Sequence, residues 1–518
     1  MDTLLSRLLD YYQISEEEYL EKSKDVSLSN FDIGHFFLDM DKAVSTVKEV
    51  ILNKGKIIVY GDYDADGMLG TSILVKMFQI ADYVVDFYIP NRYQDGYGLT
   101  LEHAKEYVDN GYNLVILVDN GISAFEPIAY LKNHNVKVVV LDHHQEQDHL
   151  PIADAICHPT LSKYGNTPSS GAYTAFIFSR SFLNYSDKYL ATLAAISLIS
   201  DMMPLKEYNR HLLRAIFKEY KKGEYLQIDL LADNEKLDEN VIGMKIAPRI
   251  NSIGRLKEDD SINDIVRFFT SDDTDYILNY NSYLLQMNEI RKNISKEYIN
   301  ELSVDAHTNA ITLIGDYKEG IIGLIANNLV NKLHIPTIVF THDRDGNYKG
   351  SARAPEGFDI VKSFAKLNDY LLAYGGHSLA GGCTVAKDKI EEFCQAFSKL
   401  VEETPIEYVE KPSILLSFNE LTFENYQLIS SFSPFGESWK EPYFKLKHLK
   451  TSSLMYSKDE KHILTSLGNS LRLVGFNYSK QKVNEYAYID VIGNLRVSSY
   501  RFYTYLEFNI KELFESKN

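Results

Sequence analysis

Four short apolar runs punctuate the first part of the chain: KIIVY (56–60), VVDFYI (84–89), LVILVD (114–119) and VKVVVLD (136–142). They are too short for helices, and their nearly continuous apolar character predicts strands covered on both sides. Helical segments separate them, the first from about Gly67 to Gln79. Strands alternating with helices predict a mostly parallel sheet with helices on both faces, and functional groups gather beyond the carboxyl ends of such strands. Ahead of this block, the first fifty residues read as polar and helical, ending in MDKAVSTVKEVILNKG. Behind it runs a mainly helical region from about Ser169 to Phe269, then a polar helical connector at about 272–304. A smaller α/β pattern follows from Ala310 to Val401, with AITLIG, GIIGLIANNLV, PTIVF and two Gly-rich turns. From about Lys411 the runs LRLVGFNY, AYIDVIGNL and YLEFNI read as short antiparallel strands. The expected division is a helical lead-in at 1–50, a parallel-sheet domain at 51–270, a connecting helix at 271–305, a smaller α/β domain at 306–405 and a β-rich domain at 406–518.

Composition narrows the class. With 518 residues, 45% of them apolar and 24% charged, the chain is expected to be a globular protein with a sizeable core. No apolar run approaches the roughly 18 residues of a membrane span, so no membrane partner is expected. The N-terminus MDTLLSRLLDYYQISEEEYLEK has no apolar signal core, and Cys157, Cys383 and Cys394 share no CxxC spacing. These features predict a cytoplasmic location without a disulfide framework or zinc knuckle. The 54 basic against 72 acidic residues give a net charge of −18, which excludes a general positive field for coating nucleic acid and leaves a local basic groove open.

The acidity has a focus. Asp62, Asp64 and Asp66 share the loop GDYDADG after the first run, Asp119 closes the strand in VDNGIS, and Asp142, His143 and His144 follow the strand in LDHHQ. Asp201 stands in the apolar stretch AAISLISDMMPL. A lone Asp at a strand end is ordinarily a turn former or helix cap. Three alternate carboxylates in one loop repel one another, and a bound cation makes their convergence tolerable. Oxygen ligands with one or two imidazoles suit a divalent ion, manganese first and magnesium second. Two such ions about 3.5–4 Å apart can activate a water and neutralise a phosphoryl group.

GDYDADG, VDNGI, LDHH and the Asp in SLISDMMPL resemble, in order, the motifs of the DHH phosphoesterase superfamily. That resemblance implies Asp64, Asp66, Asp119, His143 and Asp201 as ligands of two metal ions, with Asp119 bridging them. It makes Asp62 a further ligand or proton acceptor, places Asp142 behind its neighbours as an orienting group, and turns His144 toward the scissile phosphate. Further motifs are similar to the RecJ single-strand exonuclease branch. PNRYQDGYGL implies Arg92 as a phosphate ligand, and APRINSIGR implies Arg249, Asn251 and Arg255 along the nucleic-acid path. GSAR and YGGHSLAGG resemble the DHH-associated domain, implying that Ser351, Arg353, Gly375, Gly376 and His377 hold substrate phosphates.

From Trp439 onward there are 13 Lys/Arg against 8 Asp/Glu, interleaved with Tyr443, Phe444, Tyr456, Phe476, Tyr478, Tyr500, Phe502 and Tyr503. Cations for phosphates and rings for unstacked bases suit a single strand, and short strands suit an OB-like barrel. SPFGESWKEPYF (433–444) departs from the branch's pattern at its centre. The expected fold is therefore an α/β parallel-sheet DHH catalytic domain, a long connecting helix, a smaller α/β DHH-associated domain and a C-terminal β-rich OB-like domain. The implied activity is 5′-to-3′ hydrolysis of single-stranded DNA to 5′-mononucleotides, in repair and recombination. A monomer is expected, with a helicase and a single-strand-binding protein as candidate partners and optional extra domains missing. The rival readings are a DHH phosphodiesterase for short oligoribonucleotides or cyclic dinucleotides, and a non-catalytic binding subunit.

Overall fold

The computed structural model describes residues 3–516 except 25, 162–167, 258, 301–308, 405, 407–409, 469 and 501–502. Two compact units are present: Ser27–Met203 with Glu207–Val409, and Met1–Val26 with Pro204–Lys206 and Glu410–Asn518. Helices α1 (Leu4–Tyr12) and α2 (Glu16–Ser23), which open the chain, belong to the second unit.

The larger unit begins with α3 (Met40–Leu52) and a parallel sheet of β1 (Ile57–Tyr60), β2 (Asp86–Tyr88), β3 (Leu114–Val118), β4 (Lys137–Leu141) and β5 (Ala155–Cys157), in the order β2-β1-β3-β4-β5. Residues of β1, β3 and β4 are almost wholly buried, which is why their runs lack polar alternation. Helices α4 (Ala65–Ile80), α5 (Leu101–Asp109) and α6 (Phe125–Asn133) make the crossovers. Then come α7 (Gly171–Leu183), α8 (Lys188–Ser200), α9 (Glu207–Glu219), α10 (Leu226–Leu231), α11 (Glu239–Val241), α12 (Ala247–Leu256) and α13 (Asp264–Thr270). The expected connector is α14 (Thr274–Asn300); residues 301–305 of that expectation lie outside the described residues.

The smaller sheet of this unit contains β6 (Ile311–Ile314), β7 (Thr337–His342), β8 (Tyr348–Arg353), β9 (Leu371–His377) and β10 (Ala380–Val385), ordered β6-β7-β8-β10-β9. Only β6 and β7 run parallel; the remaining pairs are antiparallel. The segments read as Gly-rich turns are thus largely strands. Glycine is needed there for close packing: a Cβ on Gly350 would lie 2.4 Å from the Phe340 ring, and one on Gly381 would lie 2.9 Å from Ile360. Helix α15 (Glu319–Leu333) buries Ile321, Ile322 and Ile325 in a core that includes Val339.

The second unit has a six-stranded sheet of β11 (Ser413–Leu415), β12 (Tyr443–Lys450), β13 (Ile463–Leu467), β14 (Leu471–Gly475), β15 (Tyr488–Tyr500) and β16 (Tyr503–Glu515), ordered β11-β12-β15-β16-β14-β13. Two of its pairs, β11–β12 and β14–β16, are parallel, and β15 and β16 run for 13 residues each. The other pairs are antiparallel, as the runs LRLVGFNY, AYIDVIGNL and YLEFNI predict, and β11, β13 and β14 are short, while β15 and β16 are longer than expected. Leu4 and Leu8 of α1 enter this unit's core beside Phe444, Leu446 and Phe508. The 433–444 turn is held within the same unit: Trp439 stacks on Tyr12 at 4.3 Å, and its indole N–H donates to the Phe432 carbonyl at 2.8 Å. Among the described residues, no helix is long and apolar enough to cross a membrane.

Candidate active site

Loops leaving the carboxyl ends of β1, β3 and β4 bring their acids together. After β1, Asp64 caps α4, its carboxylate accepting from the amides of Asp66 at 2.9 Å and Gly67 at 3.2 Å. Asn251 of α12 accepts from the Ala65 amide at 2.9 Å. Asp66 is gripped by the N-terminus of α7, accepting from the amides of Gly171 at 2.7 Å and Ala172 at 2.8 Å, and from the Ser197 hydroxyl. After β3, Asp119 adopts a left-handed φ of 61°. Gly171 packs so tightly against it that a Cβ would stand 2.6 Å from that of Asp119.

After β4, buried Asp142 accepts from the amides of Ile122 at 2.9 Å and His143 at 2.7 Å and meets His144 Nδ1 at 2.8 Å. His144 Nε2 contacts the Tyr97 hydroxyl at 3.0 Å. His143 Nε2 lies 3.0 Å from Asp119, 3.5 Å from Asp66 and 3.6 Å from Asp201, the C-cap of α8.

These contacts make three overlapping donor sets: Asp62, Asp64 and Asp119; Asp66, His143 and Asp201; and Asp119, His143 and His144. In each set the candidate ligand atoms lie within 4.8 Å of one another. The buried atoms Asp62 Oδ1 and Asp201 Oδ2 have no hydrogen-bond donor. Burial, then the charge of Asp64, raises the Asp62 carboxyl well above its usual range. Burial and the charges of Asp66 and Asp64 do the same to Asp119, and raise Asp201 to about 9. Burial lowers His143 and favours a neutral imidazole able to offer a lone pair. Burial opposes charge on both Asp142 and His144, yet their mutual contact prevails, lowering Asp142 and raising His144 to about 9. Oxygen-rich donors, neutral imidazole and unrelieved repulsion fit divalent metal ions.

Four arginines gather nearby on separate elements. Arg92, between β2 and α5, lies over the Tyr63 ring at 4.0 Å, with a buried Nε that has no partner. Arg255 of α12 donates to the Gly320 carbonyl at 3.0 Å, and the Tyr93 hydroxyl donates to the Arg255 carbonyl at 2.6 Å. Burial, then the charges of Arg92 and Arg291, pushes Arg255 down to about 10; Arg353 adds to the effect. Arg353 donates to Ser351 Oγ at 3.2 Å and to the Ala352 carbonyl at 2.8 Å.

Strand register relates the two Gly-containing motifs. Ser351, Gly382 and Gly375 form one cross-strand row, and Arg353, Ala380 and His377 form another. Side chains alternate along strands, so Ser351, Arg353 and His377 share a face across small residues of β10. Gly376 belongs to the intervening row, where its φ is 129° and a Cβ would lie 2.5 Å from the Ala380 carbonyl oxygen.

Two further motif residues of α12 have partners within the protein. Arg249 donates to the Leu231 carbonyl at 2.6 Å and to Asp233 at 2.9 Å, which ties it into the helical region. Asn251 braces the catalytic loop through Ala65. In the second unit, Phe444 is core, Tyr456 and Tyr478 pack against it, and Phe476 and Tyr503 are exposed at 64% and 66%. Lys411 lies over the Tyr443 ring at 5.1 Å. Phe502 and the Tyr500 side chain lie outside the described residues. Sequence reasoning missed Ser197, Tyr97 and the α7 cradle for Asp66. Ser170 and Gly171 before an apolar helix were the available signal for that cradle, since the Ser170 side chain caps α7.

Comparison with known proteins finds the DHH family N-terminal domain over residues 56–199, the DHHA1 domain over 306–403 and the RecJ OB domain over 414–512. The single-stranded-DNA-specific exonuclease RecJ of Bacillus subtilis (strain 168) is 27% identical over 486 residues, covering 89% of this chain. The chain spans 61% of that relative's length. The crystal structure of RecJ in complex with Mn2+ from Thermus thermophilus is similar with a TM-score of 0.80 at 23% identity, covering 93% of this chain and 72% of that one. A crystal structure of exonuclease RecJ bound to manganese gives a TM-score of 0.61 at 26% identity, covering 71% and 96% respectively.

Proposed function

The chain belongs to the RecJ family of DHH phosphoesterases, and from that premise we propose that it degrades single-stranded DNA from the 5′ end, releasing 5′-mononucleotides. The convergence of Asp62, Asp64, Asp66, Asp119 and Asp201 around His143 carries the reading, because these groups form overlapping donor sets around shared Asp119 and His143. Asp64, Asp66, Asp119, His143 and Asp201 would hold two divalent ions, manganese in preference to magnesium, with Asp62 as a further ligand or proton acceptor. Bound there, such ions would supply Lewis-acid charge for the phosphoryl oxygens and would lower the pKa of a nearby water.

The protein groups orient the reaction. Asp142 holds Nδ1 of His144 at 2.8 Å, and Nε2 of the same ring, which meets the Tyr97 hydroxyl at 3.0 Å, would turn to the scissile phosphate. Arg92, Arg255, Ser351 and Arg353 fix the substrate phosphates by charge-assisted hydrogen bonds, with Gly375, Gly376 and His377 across the small-residue surface of β10. The exposed rings of the second unit offer stacking platforms for bases. The enzyme works as a cytoplasmic monomer in repair and recombination, supplied with single strands by a helicase and a single-strand-binding protein.

Arg353→Ala is expected to raise KM about tenfold with a smaller loss of kcat, since a charged hydrogen bond to substrate is worth roughly 1.5–3 kcal/mol. Steady-state kinetics on a single strand checks this, and an unchanged KM counts against the phosphate role. The activity itself is tested with a single-stranded DNA of about 30 nucleotides, labelled at either end, in Mn2+ and in EDTA. Stepwise release of mononucleotides from the 5′ end, only with metal, is expected. An intact long strand beside rapid cleavage of di- to pentanucleotides would move the enzyme to the short-oligomer phosphodiesterases.

A further inference from the structure

Helix α14 turns one face inward. Leu284, Asn288 and Ser295 are buried on it, while Met287, Ile294 and Tyr298 pack against the core containing Ile321, Ile322 and Ile325. Arg291 falls in the middle of this face, four residues after Met287 and three before Ile294, and is half-buried. Most arginines so placed have a carboxylate partner, because desolvating a lone charge is unfavourable. Arg291 forms no ion pair among the described residues, although the charge of Glu289 two residues before it acts on it. Its side chain donates one hydrogen bond there, from Nε to Asn288 Oδ1 at 3.1 Å. Its terminal nitrogens are not held by a protein acceptor among the described residues, and burial, partly offset by Glu289, weakens its hold on its proton.

The neighbours sharpen the anomaly. Met287 and Ile294, which flank Arg291, pack on the core of Leu256, next in the chain to Arg255, and of Ile321 and Ile322, which follow Gly320. Arg255 feels the charges of Arg92, Arg291 and Arg353, eased by Asp64, and none of the four arginines forms an ion pair among the described residues. They come from four separate elements, so local sequence preference does not explain their convergence. The first turns of α15 lie against the same groups: Gly320 accepts from Arg255, and a Cβ on Gly323 would lie 3.2 Å from Arg353 Nη2. Cations gathered at a helix N-terminus describe a site for a polyanion.

We propose that Arg291 is a fourth phosphate-binding arginine, through which the connecting helix grips the sugar–phosphate backbone of the single strand beside Arg92, Arg255 and Arg353. The inference rests on the exonuclease reading for its substrate. Asn288 holds Nε and leaves the terminal fork for phosphate oxygens. The helix thereby joins the two α/β domains of the larger unit and contributes directly to substrate affinity.

Arg291→Gln and Arg291→Lys in the full chain test this. For Arg291→Gln, KM on a single-stranded 30-mer should rise about tenfold with kcat within about twofold. Its log KM against log salt should flatten by about 0.7, the signature of one lost phosphate contact on a single strand. Arg291→Lys should restore the salt slope while recovering only part of KM, because lysine lacks the planar fork. Unchanged KM and slope in Arg291→Gln would overturn the proposal, as would a lower melting temperature and reduced kcat with the slope unchanged. Fluorescence anisotropy of the 30-mer in EDTA separates the two readings. A wild-type protein that binds no strand overturns the exonuclease reading, whereas equal binding by wild type and Arg291→Gln overturns the role of Arg291 alone.

Discussion

Asp119→Asn should lower kcat/KM on single-stranded DNA by about 10³-fold or more while leaving the fold intact, because the residue is central to a metal-dependent site. Asp119 belongs to two of the three donor sets, one with Asp62 and Asp64 and the other with His143 and His144. No other carboxylate at the site is shared between two sets. Asparagine preserves its volume and tolerates the left-handed backbone at φ 61°, so the loop has no reason to move. The substitution also removes a carboxyl whose ionisation is opposed by burial and by Asp66, Asp64, Asp62 and Asp201. The metal-free variant should therefore melt at or above the wild-type temperature. Wild type should gain melting temperature with added Mn2+, and the variant should gain much less, because a ligand that binds only the folded state stabilises it in proportion to its occupancy. Activity within tenfold of wild type in excess Mn2+ would sink the metal assignment. Lost activity with an undiminished Mn2+-induced shift would instead place Asp119 at the chemistry and outside the ion's donor set.

The parts legible in the sequence are those encoded locally. Runs such as LVILVD are strands because every side chain is buried, and their terminal aspartates fall where a parallel sheet exposes its carboxyl ends. What was not legible depends on partners distant in sequence. Gly350, Gly376 and Gly381 read as turn formers, yet they lie in strands because Phe340, Ala380 and Ile360 leave little or no room for a side chain. Arg249 and Asn251 share a motif with Arg255, but facing different neighbours gives them different tasks: Leu231 and Asp233 hold the first, while the second holds Ala65. Helix α1 reads as a lead-in to the first strand, yet its Leu4 and Leu8 fill a core more than four hundred residues away in the chain. Arg291 was hidden for the same reason. A polar helix with few breaks reads as a solvated connector until its inward face is known.

Gly254→Ala should be the most damaging substitution outside the donor residues. Alanine is intrinsically favoured over glycine in a helix by about 1 kcal/mol, so propensity alone predicts a stabilised α12. Packing reverses the sign. A Cβ at this position would lie 1.8 Å from the Tyr63 carbonyl oxygen and 3.0 Å from its carbon, in the backbone of the loop that carries Asp62, Asp64 and Asp66. Backbone cannot rotate away as a side-chain tip can. Either α12 withdraws, breaking the Asn251–Ala65 hydrogen bond, or the loop shifts by roughly an ångström and carries its carboxylates with it. Overpacking of this kind is destabilising by roughly 1–3 kcal/mol, and a displacement of about 1 Å at reacting groups lowers rate by about 100-fold. The expected result is a folded enzyme with kcat reduced about 100-fold and weakened Mn2+ binding, read by kinetics and a metal titration. Gly243→Ala is the matched control, since a Cβ there meets only Ile199 at 3.8 Å, an ordinary contact. Equal kinetics for both variants would show that the APRINSIGR helix does not set the position of the metal loop, leaving Asn251 as its only brace from that segment.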